Sequence, residues 1–158
     1  KTAAGPTYKA LKTVLQPYHA MLSPVVDGEV QNGPVKLFIS GNRPIDKILE
    51  DNPQWAAIDG RPADLERNIP ATLMPVVSDH YNHVLQWNGK GEIQAAQKAR
   101  LKALVRATHA QDKMLRLWAA PDFPASWRFL LNSGVDLINT DRLQDFRHFY
   151  LRYEQKQP

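Results

Sequence analysis

Short apolar runs in this chain repeatedly stop at the same kinds of polar residue. Ile39 is followed by Ser40, Gly41, Asn42 and Arg43, and Ile58 by Asp59, Gly60 and Arg61. Val77 leads to Ser78 and Asp79, Leu117 to Trp118 and then Asp122, and Ile138 to Asn139, Thr140 and Asp141. Guanidinium groups such as those of Arg43 and Arg61 are the side chains that clamp phosphate through two parallel hydrogen bonds. The same two arginines, each just before a proline, also suit a plainer role, that of ending a strand and pairing with a neighbouring carboxylate. Trp55, Trp87 and Trp127 fit helix or core packing. Trp118 closes an apolar run just before Pro121 and Asp122, a place for an indole that lines a pocket and stacks on a substrate headgroup, or for one that fills the top layer of a core.

Other chemistries leave less trace. His80 and His83, beside Asp79, have a spacing that places two imidazoles on one helix face, but no third ligand follows at matching spacing, and the pair reads as surface histidine. There is no cysteine, which excludes disulfides, thiolate metal sites and a cysteine nucleophile. No Gly-x-Ser-x-Gly elbow, phosphate-binding Walker loop or Gly-x-Gly-x-x-Gly fingerprint occurs.

The 158 residues are 43% hydrophobic and 23% charged, the balance of an ordinary globular domain. Net charge is +4 and the pI about 9.4, yet the basic residues are spread out, with no run of the kind that tracks a nucleic-acid backbone. No apolar stretch approaches the roughly 18 residues that span a bilayer. Absence of cysteine leaves the redox compartment open and also suits an exported bacterial protein; an extracellular or periplasmic location is the expectation.

The strand-end residues need elements to hold them. Helical spacing runs from Tyr8 to Leu22 and stops at Ser23-Pro24. The turn Asn32-Gly33-Pro34 precedes a β-branched, aromatic strand over Val35 to Ser40. A short helix around Ile45 to Leu49 is followed by a strand ending at Ile58-Asp59. Met74 to Asp79 reads as another strand despite Pro75, His80 to Gly91 as a loop with a helical piece, and Ile93 to Gln111 as the strongest helix. Met114 to Ala119 alternates as a strand, Pro124 opens a helix closed by Gly134, Val135 to Asp141 is a strand, and Leu143 to Tyr153 a helix. Strand and helix alternate with short connections, which predicts one α/β domain over residues 1–158 built from parallel strands. About four such strands make a small open sheet, or half of an eight-stranded (β/α) barrel, whose whole is typically about 250 residues.

Two segments carry a resemblance. Met114-Leu115-Arg116-Leu117-Trp118-Ala119-Ala120-Pro121-Asp122, followed by Ser133-Gly134-Val135-Asp136-Leu137-Ile138-Asn139-Thr140-Asp141, resembles the seventh and eighth strands of PLC-like phosphodiesterases. That superfamily includes the glycerophosphodiester phosphodiesterases and the phosphatidylinositol-specific phospholipases C. Ile39 to Pro44 and Ile58 to Pro62 look like a secreted bacterial and fungal branch related to the altered-inheritance-of-mitochondria group. The resemblance implies the C-terminal half of a TIM barrel and a phosphoric diester hydrolase acting on a glycerol- or inositol-type substrate. Lys1, before the first helix, looks like the lysine of the family's acid-x-Lys motif, which reaches the phosphate. Trp118, with Arg43, Asp59, Arg61 and Asn139, would then contact substrate. A divalent cation, Mg or Ca, is implied, with its carboxylates and the catalytic histidine pair in strands outside this chain, so the chain alone would be inactive. The family's Trp-Thr pair reads Trp118-Ala119 here.

The implied half-barrel would leave strand edges and the inner face of Val35 to Ile39 and Val135 to Ile138 open, to be covered by the barrel's other half or a second copy. The alternative is a binding or structural domain without turnover.

Overall fold

The computed structural model describes residues 3–155. Lys1 therefore lies outside the described residues. Helix α1, Ala4–Leu15, runs into a 3₁₀ turn, Gln16–Met21, where Pro17 ends the α pattern that the spacing carries on to Leu22. A small antiparallel hairpin follows, β1 Val25–Val26 and β2 Glu29–Val30. Its two-residue loop, Asp27 and Gly28, has φ of 51° and 85°, the positive pair that a tight hairpin turn demands.

Five parallel strands then form one sheet: β3 Phe38–Ile39, β4 Ala57–Gly60, β5 Val76–His80, β6 Met114–Trp118 and β7 Leu137–Ile138. They lie side by side in chain order, each paired with its successor. Crossovers between them carry α2 Ile45–Glu50, α3 Tyr81–Val84, α4 Ala95–His109 and α5 Pro124–Asn132, and α6 Leu143–Glu154 follows β7. A 3₁₀ turn over Pro62–Arg67 follows β4. Pro75 stands just outside β5, yet its carbonyl still accepts from the Met114 amide at 2.8 Å. The outer strands are shorter than their apolar runs. Val35 forms only an isolated bridge with Leu22, and the β7 ladder holds two residues.

Alternation assigns the two sheet faces. Ile58, Val77, Leu115 and Leu117 are fully buried. Val77, Leu115 and Leu117 pack with Leu101, Val105 and Leu130 of α4 and α5, while Ile58 packs with Tyr8, Ile45 and Ile48 of α1 and α2. Their neighbours along each strand point the other way. There Phe38, Met114 and Trp118 are 42%, 40% and 38% exposed, beside Asp59, Ser78 and Arg116. Val135 and Ile138 belong to the helix-side core, which corrects the expectation that they line the open face; the β7 residue with the parity of that face is Leu137. No helix among the described residues is long and apolar enough to cross a membrane.

Candidate functional site

Parallel strands point their carboxyl ends the same way, and a cleft of about 370 Å³ opens there. It is lined by Ser40 after β3, Asp59 of β4, Arg61, Arg116 and Trp118 of β6, and Asn139 after β7. The register explains the gathering: Ser78 stands across from Arg116, and His80 from Trp118, between β5 and β6, while Arg116 stands across from Leu137 of β7. Asp59, Arg61, Trp118 and Asn139, all expected from the sequence, are thus brought together.

Asp59 is the floor. It is 5% exposed, and its carboxylate accepts from Ser40 Oγ at 2.5 Å and from Ser78 Oγ, with Arg61 Nη1 3.1 Å away. Burial alone would raise its pKa. The hydrogen bonds from Ser40, Ser78 and Arg61 and the charge of Arg61 outweigh burial, and hold the carboxyl below the ordinary carboxylate value. The group therefore stays ionised at neutral pH. With Arg61 and Arg116 beside it, the formal charge of the lining is positive.

Arg43 takes a different place. Its Nη1 donates to the Asp59 carbonyl at 3.0 Å and to the Asp64 carboxylate. Asp64 also accepts from the Arg61 amide at 2.7 Å, capping the 3₁₀ turn. Arg43 thus braces the loops under the cleft and does not line it, so the two arginines do not form a clamp around one open space.

Trp118 is half-exposed, and the His80 ring meets it edge-on at 4.4 Å. The Nδ1 of His80 accepts from the Asn82 amide at 3.0 Å. His83 Nδ1 lies 2.8 Å from Asp79 Oδ1. Among the described residues no group of three or more His, Asp or Glu gathers to hold a metal ion. The cleft's one carboxylate, Asp59, is engaged by Ser40, Ser78 and Arg61, so the described residues do not by themselves make a divalent-cation site.

Arg116 and Ser78 complete the arrangement. Arg116 is the one that sequence reasoning passed over, although the alternation Met114-Leu115-Arg116-Leu117-Trp118 puts it on the face of Trp118. Ala119, also lining the cleft, has φ of 56°, a conformation that a β-branched residue resists. A threonine in place of Ala119 would be strained on this backbone.

A larger depression, about 880 Å³, lies between α1, α2 and Trp55. Within it Asp51 is already bound by Tyr8 Oη and Lys12 Nζ, each at 2.7 Å, and no residue of the parallel strands lines it.

No protein-family model, curated protein or solved structure matches the chain.

Proposed function

We propose that this chain is the substrate-side part of a phosphoric diester hydrolase that cleaves a glycerol- or inositol-type phosphodiester. One observation carries the reading: the carboxyl ends of neighbouring parallel strands deliver Arg61, Arg116, Asn139 and a half-exposed Trp118 to one positively charged cleft. The guanidinium of Arg116 suits a phosphodiester monoanion, the exposed indole face suits a polyol headgroup, and the Asn139 amide suits its alcohol. Strand order supports the finer architecture. Parallel strands in chain order, with helices on one face, are what a segment of a (β/α) barrel has, and barrel enzymes act at this end of their strands. In this reading the general acid–base pair and the ligands of a Mg or Ca ion are supplied by strands other than those of this chain. The protein is extracellular or periplasmic in the same reading.

The test is hydrolysis of bis(p-nitrophenyl) phosphate and of glycerophosphoinositol by the complete gene product, with and without added divalent cation. Cation-dependent release of the alcohol supports the reading. No turnover of either compound under any of these conditions refutes it and leaves a non-catalytic binding domain.

A further inference from the structure

The arginines around the cleft differ in what they have left to give. Arg61 spends its guanidinium inside the fold: Nη1 donates to the carbonyls of Asp59 at 3.1 Å and Gly60 at 2.8 Å, and Nη2 reaches Ser40 Oγ at 3.3 Å. Arg43 is committed to Asp64 and to the Asp59 carbonyl. Arg116 is tethered at one atom. Its Nε donates to Asn139 Oδ1 at 2.7 Å, and its Nη1 stands 4.0 Å from Asp59 Oδ2, too far for a hydrogen bond. Its terminal N–H groups therefore have no hydrogen-bond acceptor among the described residues.

An arginine anchored through Nε with its Nη edge free is a pre-oriented fork. The rotamer entropy of ordering the side chain is already lost, so less is lost when the edge binds a planar pair of oxygens. The neighbouring carboxylate does not satisfy it, because Asp59 is turned toward Ser40, Ser78 and Arg61. Trp118 lies on the same strand face and in the same cleft.

We infer that Arg116 is the residue of this chain that takes the phosphate group of an ester ligand, through the free edge of its guanidinium. Arg61 and Arg43 hold the floor on which it acts. The inference rests on the phosphodiester reading for the nature of its ligand and not on turnover.

Binding to the chain is read by ³¹P NMR, titrating dimethyl phosphate and, separately, inorganic phosphate. Saturable line broadening is expected with both. Arg116→Met should weaken it by at least about tenfold, and Arg116→Lys, which keeps the charge and loses the fork, should fall between. Circular dichroism and the urea midpoint of Arg116→Lys check that its loss is not a loss of fold. Equal binding of dimethyl phosphate by wild type and both variants overturns the assignment. So does binding of inorganic phosphate alone, which would make this a site for the free ion, and so does absence of binding to either. The two readings fail separately. If the complete gene product turns over diesters and its Arg116→Met variant does so equally well, Arg116 is wrong and the hydrolase stands. If Arg116-dependent binding is found but no diester is cleaved, the hydrolase is wrong and the site stands.

Discussion

Asp59 is a carboxylate buried among donors, and its energetics follow from that enclosure. Replacing it with Asn removes the charge that Arg61 faces and turns an amide N–H₂ toward a hydroxyl that was donating. Loss of hydrogen bonds to a charged acceptor at a buried site predicts destabilisation of about 2 to 4 kcal/mol in a urea titration near neutral pH. The sign with pH is fixed by the direction of the shift. The folded pKa lies below the unfolded value of about 3.9, so the stabilisation is fully present above that value and is lost as pH falls through the folded one. The penalty of Asp59→Asn should shrink below pH ~4; a penalty that is unchanged at acid pH would show that ionisation is not its source. The two tryptophans of the C-terminal third make a second contrast. Trp127 is 1% exposed, against 38% for Trp118, and its Nε1 donates to Asp122 at 2.8 Å. Trp127→Ala should cost about 3 to 5 kcal/mol, and Trp118→Ala about 1 kcal/mol. Comparable losses for both would make Trp118 a core residue. What could be read residue by residue followed the strand ends, where Asp59, Arg61, Trp118 and Asn139 announce themselves by position. Arg116 sits inside its strand and shows only through alternation, and the tie of Arg43 to Asp64 is a tertiary contact that spacing does not reveal.

Gly134 shows how local chemistry fixes the end of an element. Its φ is 87°, its amide donates to the Leu131 carbonyl, and the Val135 amide donates to that of Leu130, each at 3.0 Å. This is a Schellman closure of α5, sealed by Val135 against Leu130 in the core. Gly134→Ala should destabilise by about 1 kcal/mol or somewhat more, because a Cβ there also comes within 3.0 Å of Val105 Cγ1. Thermal unfolding checks it; an unchanged midpoint would mean that the left-handed turn is not required. Glycine placement, proline at Pro124 and the periodicity of α4 made these helices legible from sequence. The hairpin signal in Val25-Val26-Asp27-Gly28-Glu29-Val30 was equally present, but the stretch is too short for its alternation to stand out. Strand lengths were less legible. Val35 bridges Leu22 and the ladder with β4 begins only at Phe38 and Ala57, so Val35 to Leu37 stay outside β3 although valine and leucine there suit a strand.

The sheet has one face packed by helices and one that is only partly covered, which parallel sheets rarely tolerate. Edges are not the main difficulty, since β3 and β7 are each two residues long, and short edge strands recruit partners poorly. The face is. Phe38 and Met114, exposed by 42% and 40%, line up with half-buried Leu137 in an apolar surface on the amino-terminal side of the cleft that Arg116 and Trp118 line. Completing the burial of each large side chain is worth on the order of 1 kcal/mol, so any association through this surface is weak and needs high protein concentration. We expect this face to be covered by further strands of a barrel or, for the chain by itself, by a second copy. Sedimentation equilibrium should then show a weight-average mass rising above 17.9 kDa with concentration, together with binding of a hydrophobic dye. Phe38→Glu, on an exposed edge-strand position where folding does not depend on the ring, should return the protein toward monomer and reduce the dye signal. A monomer at every concentration, with no dye bound, would mean that the partly covered face is stable in water, and the barrel architecture would lose its strongest argument.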